Sequence, residues 1–245
     1  MRIAVLSDLH ANAQALEAVM TDLITQGCEH VFCLGDIALA GPQPKDVTDY
    51  VMAQDGTWTT IQGNTDKMIA QYGPDVMEFL EAQYPVMANA MADDVEQLDD
   101  THRAFLANLP PMLSLDIEGC SVLLVHGSPR ANNEDILPEM PLEIIEEIIE
   151  GTQEKLILCG HTHVPCGYQT STGQTVVNVG SVGRPMTADP KACYAIVDFA
   201  QGSFEVRHRF VTYDNKLAAK LMSERGFIGA DRLADLLLNP VERHV

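Results

Sequence analysis

The chain has 245 residues and 46% hydrophobic content, enough to bury a sizeable core, and no apolar run approaches the roughly 18 residues of a membrane span. Its formal charge of −20, from 35 acidic and 15 basic side chains, disfavours nucleic acid and anionic membrane as partners, so a phosphate substrate needs local positive charge from metal ions or a few arginines. The six cysteines (Cys28, Cys33, Cys120, Cys159, Cys166, Cys193) form no C-x-x-C pair and the opening residues are too polar for a signal-peptide core, as expected of a reduced, cytoplasmic protein without disulfides.

Residues 2–6, RIAVL, read as a strand ending at Ser7-Asp8, and the ALEAVMTDLI behind it has helical spacing. The unit recurs: HVFCLG (30–35) reads as a strand with a helix over Pro42 to Gln54, and TWTTIQG (57–63) as a third strand rich in β-branched residues. That alternation predicts parallel strands with crossover helices, whose functional loops gather at the strand C-termini. Residues 66–109 read as helical, interrupted at Gly73-Pro74 and Pro85 and stopped at Pro110-Pro111.

From there MLSLDI and CSVLLV flank Glu118-Gly119 as a β-hairpin running into His126, and an acidic helix follows over about 138–150. KLILCG is another strand, leading into HTHV. Two antiparallel pairs, turning at Thr172-Gly173 and Gln201-Gly202, are expected after it, so the second half adds mostly antiparallel sheet. The tail from Asp214 to about Leu238 is helical, broken near Gly226 and Gly229. The acidic blocks 91–100 and 134–150 read as solvated helix faces. Without a linker or repeat, a single domain over 1–245 is the expectation, and composition leaves a homo-oligomer open.

Five of these apolar runs end in possible metal ligands: Asp8 with His10, Asp36, Asn64, His126, and His161 with His163. A single strand-end Asp or His is ordinarily a turn or a hydrogen-bonded structural residue. Five in a fold that gathers strand ends point to a metal centre. Oxygen and imidazole donors without thiolate suit manganese, then iron or zinc, over calcium or a structural zinc site. Seven donors exceed what one catalytic ion needs, so two divalent ions about 3.5–4 Å apart, sharing a carboxylate, are the natural count.

The segments D-L-H (8–10), G-D (35–36), G-N (63–64), V-H-G (125–127) and G-H-T-H (160–163), in that order, resemble the calcineurin-like metallophosphoesterase superfamily. SDLHANAQALEAV, HGSPRANNEDILP, NVGSVGRPMTADPKACYAIVDF and the TYDNKLAAKLMSERGF tail are similar to its small prokaryotic phosphodiesterases. The resemblance implies an α/β fold, a four-layer α/β/β/α sandwich of two mixed sheets. It also implies that Asp8, His10 and His163 hold one ion, that Asp36 bridges, and that Asn64, His126 and His161 hold the other. The implied activity is a metal-dependent phosphodiesterase, with Asp36, Asn64 and His126 closest to the chemistry and a hydroxide between the ions as attacking group. Alternatives are a dinucleoside polyphosphate hydrolase or nucleotide phosphatase, acting on a small phosphate ester or nucleotide, and, from another class, a non-catalytic metal-binding scaffold.

Thr65 departs from the pattern, since many members carry histidine there. A threonine hydroxyl donates a hydrogen bond but is no proton donor near neutral pH. Either the leaving group needs no protonation, or another group such as Asp66 supplies the proton, or activity is vestigial. Asp66 itself reads as a helix cap in preference to a ligand. Three further residues are candidates for substrate binding with Thr65. Asn12 either caps the first helix or hydrogen-bonds the phosphate, and Arg130 and Arg184 either grip phosphate or form surface ion pairs.

Overall fold

Alternation along the first strand sets the layering. In the computed structural model, which describes residues 1–54 and 56–244, Ile3 and Val5 of β1 (Arg2–Leu6) join a core shared with a second sheet, while Ala4 and Leu6 pack under helices. Helix α1 (Ala13–Thr25), β2 (His30–Cys33), α2 (Pro44–Met52) and β3 (Trp58–Thr60) follow, and β1, β2 and β3 pair in parallel. The third strand is shorter than expected because Gln62 N–H leaves the sheet to donate to Pro110 O, and the chain becomes helical at Asn64.

Four helices occupy the next stretch: α3 (Asn64–Ala70), α4 (Pro74–Gln83), α5 (Pro85–Gln97) and α6 (Asp100–Asn108). Two breaks fall at the anticipated prolines, which sit in the first turn where a missing N–H is harmless. The third has no proline. There the Asp99 carboxylate accepts from Thr101 N–H at 2.9 Å and His102 N–H at 3.1 Å, and restarts the helix.

The second sheet begins with the hairpin β4 (Met112–Ile117) and β5 (Cys120–Val125), continues through α7 (Leu142–Ile148) to β6 (Leu156–Cys159), and ends with β7 (Cys166–Gln169) and β8 (Thr175–Asn178). Its order is β4-β5-β6-β8-β7, and β5, β6 and β8 are parallel. The last hairpin, β9 (Ala192–Ala200) with β10 (Ser203–Val211), returns to the first sheet, giving the order β10-β9-β1-β2-β3. The second half is mostly antiparallel, as expected, and is parallel only where β5, β6 and β8 meet; the β7–β8 hairpin edges that parallel centre, and the β9–β10 hairpin extends the first sheet.

Helices α8 (Asn215–Glu224) and α9 (Ala230–Leu238) pack with α1, α2 and α5 on the outer face of the first sheet. Helix α7 covers the outer face of the second through Ile145 and Ile148, completing an α/β/β/α sandwich. It is seven residues long, shorter than the stretch over 138–150 suggested. One acid in the block at 91–100 is not solvated: Asp94 is fully buried, accepts from Ala40 N–H and meets the Arg225 guanidinium at 2.6 Å. The six cysteines are free, and no helix among the described residues is long and apolar enough to cross a membrane.

Candidate metal centre

Strands β1, β2, β3, β5 and β6 deliver their C-terminal loops to one edge of the sandwich, and these loops carry every proposed donor. The backbone there is strained. Asp8, His10, Asp36, His161 and His163 all have positive φ, between 40° and 68°, a conformation that disfavours non-glycine residues by roughly 1 kcal/mol or more apiece. Cross-loop hydrogen bonds hold it: Asp8 N–H to Gly35 O at 3.0 Å, His10 N–H to Asp36 O at 2.9 Å, and His161 N–H to Asp8 Oδ2 at 2.9 Å.

Two donor clusters result. In the first, His10 Nε2 lies 3.1 Å from His163 Nε2, which is 3.1 Å from Asp8 Oδ1. In the second, Asn64 Oδ1 is 3.0 Å from His126 Nε2 and 2.8 Å from His161 Nδ1. Asp36 stands between them, with Oδ2 3.7 Å from His10 Nε2 and Oδ1 3.4 Å from His126 Nε2. Asp8, His10, Asp36, His126 and His163 are buried, whereas Asn64 and His161 are partly exposed, so the centre opens on their side.

The tautomers make this a cation site. The Nδ1–H of His10 donates to Leu39 O at 2.8 Å, that of His126 to Leu34 O at 2.7 Å, and that of His163 to Arg184 O at 2.6 Å. With the inner nitrogen deprotonated, each ring aims its Nε2 lone pair inward, at other lone pairs and carboxylates. Asp8 Oδ1 is buried there without a hydrogen-bond partner. Acceptors facing acceptors in a dry pocket are unfavourable unless cations sit among them, so the residues fit divalent metal.

Charge coupling has the same origin. Burial by itself would raise both carboxyls, but His163 brings Asp8 down to about 2, and His126 with His10 holds Asp36 far below the usual range. Burial opposes charge on His126, yet Asp36 and Asp8 prevail and hold its pKa at about 10. Burial and His163 push His10 down to about 4.

A divalent cation must therefore displace a proton from His126. Affinity should rise by up to about tenfold per pH unit toward pH 10, and calorimetry with Mn²⁺ in buffers of different ionisation enthalpy should detect about one proton released. In the metal-free fold the raised pKa has the opposite consequence. Its stabilising contribution is complete below about pH 6.5 and lost as pH rises through about 10, so the metal-free Tm should fall across that window.

The other candidates separate clearly. Asn12 caps α1 through Oδ1, 3.1 Å from Ala15 N, and its Nδ2 donates to Gly183 O at 2.8 Å. Fully buried and bonded at both ends, it has nothing left for phosphate, which corrects that alternative. Arg130 pairs with Glu134 at 2.5 Å and Glu147 at 3.4 Å, so its guanidinium is spent on ion pairs beside the centre. Arg184 is different. Among the described residues its only side-chain hydrogen bond is to Met87 Sδ at 3.8 Å, and its charge opposes protonation of His10. Thr65 donates its N–H to Asp36 Oδ1 at 2.8 Å and leaves a buried Oγ1 without a partner.

Asp66 does more than cap α3. Its carboxylate accepts from Gly63 N–H at 2.9 Å, Asp36 N–H at 2.8 Å and Ile37 N–H at 2.9 Å, bracing the loop that carries Asp36. An acid at the third helical position reaching back one turn is a readable sequence signal. The reach across to Asp36 and Ile37 had none, because those residues are 30 and 29 positions away.

A family model described as the calcineurin-like phosphoesterase superfamily domain matches residues 1–202. An uncharacterised protein of Methanocaldococcus jannaschii is 28% identical over 230 residues, covering 88% of this chain and 89% of that one. The crystal structure of a metallophosphoesterase from Sphaerobacter thermophilus superposes with a TM-score of 0.78 at 28% identity, covering 98% of each chain. A hypothetical protein from Pyrococcus horikoshii OT3 superposes at 0.87 with 24% identity over 99% of each, a likeness of fold.

Proposed function

The chain belongs to the calcineurin-like phosphoesterase superfamily and is a phosphoric ester hydrolase, and from that premise we propose that it is a phosphodiesterase with a two-ion centre. The observation that supports the ion count is Asp36, whose two oxygens face different donor clusters, so that it could serve an ion in each. Oxygen and imidazole donors favour manganese, with iron or zinc next. Bound there, the ions would supply Lewis-acid charge for in-line phosphoryl displacement and acidify a water to serve as nucleophile.

The chain's own residues do the rest. Arg184, a cation without a carboxylate partner among the described residues, binds a non-bridging phosphate oxygen, and Thr65 Oγ1 donates a hydrogen bond to another. The intact donor set weighs against a non-catalytic scaffold. Asp66 does not replace the missing acid, because it is buried and its carboxylate is taken up by three backbone N–H groups. Substrates whose leaving group departs without protonation are then favoured. That selects activated diesters over simple monoesters.

With Mn²⁺, turnover of an activated diester should exceed that of the matching monoester and vanish on chelation. Rapid hydrolysis of poorly activated monoesters would contradict this role for Thr65. Thr65→His should raise monoester turnover, by up to roughly 10²-fold if the missing acid limits the rate. A second reading, hydrolysis of dinucleoside polyphosphates or nucleotides, draws support from a cleft of about 400 Å³ that runs from His126 past Lys67 and Arg130. Lys67 is exposed with no ion pair among the described residues, and so is placed to meet a further phosphate. A panel of nucleotides and diesters separates the two readings.

A further inference from the structure

One of the four histidines in the centre is held differently from the others. The outer nitrogens of His10, His126 and His163 donate to backbone carbonyls, so the fold itself sets their tautomers. His161 aims Nδ1 at Asn64 Oδ1, and its outer nitrogen, Nε2, lies 3.3 Å from Asp135 Oδ1. For Nδ1 to offer a lone pair, Nε2 must carry the proton, and a carboxylate at that distance accepts it.

Asp135 is itself partly exposed, and a side chain from the far end of the chain restrains it. Arg243 donates from its guanidinium to Asp135 Oδ2 at 2.5 Å, and its backbone N–H donates to Met186 O at 3.2 Å. Met186 N–H in turn donates to His163 O at 3.3 Å. The segment carrying Arg243 is thereby tied to the loops of both His161 and His163. It lies beyond residues 1–202, the span of the family match.

We propose that Asp135 and Arg243 are positioning residues for the second metal subsite: Asp135 fixes His161 with Nδ1 directed at Asn64, and Arg243 fixes Asp135. The inference rests on the two-ion reading above. It makes a distal segment of the chain set the affinity of one ion and leave the other unaffected, since the first cluster takes its ring orientations from the backbone. Asp135→Asn cannot accept a charged hydrogen bond from His161, and Arg243→Ala leaves Asp135 free to turn into solvent.

The test is Mn²⁺ titration of the full chain followed by calorimetry and electron paramagnetic resonance. Both variants should bind the first ion as the unmodified protein does and the second about 10- to 100-fold more weakly, with the exchange-coupled signal giving way to a mononuclear one. Arg243→Lys, which can still pair with Asp135, should recover most of the loss. The metal-free Tm should stay within about 2 °C, because a partly exposed ion pair contributes little to folding. Two ions bound with unchanged affinity in both Asp135→Asn and Arg243→Ala would overturn the inference. A single ion in the unmodified protein would overturn the two-ion reading itself, and the inference with it.

Discussion

Asp36→Asn should lower turnover by about 10³-fold or more while leaving the protein folded, with Mn²⁺ stoichiometry falling from two to at most one. The expectation follows from where the two oxygens point. Oδ1 faces His126 and accepts from Thr65 N–H, and Oδ2 faces His10. An asparagine keeps the volume and one acceptor, so the Thr65 hydrogen bond survives. It replaces the other oxygen, on the His10 side, with an amide nitrogen that cannot bind a cation. The metal-free Tm should fall modestly at neutral pH, since the carboxylate that faces protonated His126 is lost. Retained activity with two ions bound would mean that Asp36 does not bridge.

Gly63→Ala should severely damage the loop that carries Asp36. A Cβ at this position would meet Asp36 Oδ1 at 2.1 Å and Asp36 N at 2.3 Å, distances no side chain tolerates. Relief requires the Asp36 loop to move, and Asp66 pins that loop through two hydrogen bonds, from Asp36 N–H and Ile37 N–H. A loss of about 3 kcal/mol or more is expected, a fall in Tm of roughly 6–12 °C. Weakened metal uptake should accompany it, because Asp36 lies between the two donor clusters. Gly173→Ala is the control. Gly173 has φ of +86° and no atom within 4 Å of its would-be Cβ, so that substitution pays only for left-handed backbone, about 1 kcal/mol. Equal destabilisation by the two would sink the steric explanation.

The contrast between those glycines reflects what was legible beforehand. Glycine at 173, in the turn between β7 and β8, announces itself as a turn residue. Glycine at 63 reads as the end of a strand, and its tight approach to Asp36 appears only after β2 and β3 pair. Asp66 and Asn12 read correctly as caps because capping spans a single turn of chain. Their second partners, Asp36 with Ile37 and Gly183, lie in other loops. Arg130 and Arg184 looked equivalent in sequence. One found Glu134 four residues on, and the other, among the described residues, makes a side-chain hydrogen bond only to the Met87 thioether.

Local chemistry along the chain determined the strand-loop-helix units, the turn positions and the ligand types at each strand end, since periodicity, caps and donor identity act over a few residues. Tertiary pairing decided that β9 and β10 join the first sheet, that Asp36 faces two clusters at once, that Asp135 reaches His161, and that Arg243 reaches Asp135. Those contacts join residues tens to more than a hundred positions apart, and their geometry exists only once burial of both sheet faces has chosen a single arrangement of the strands.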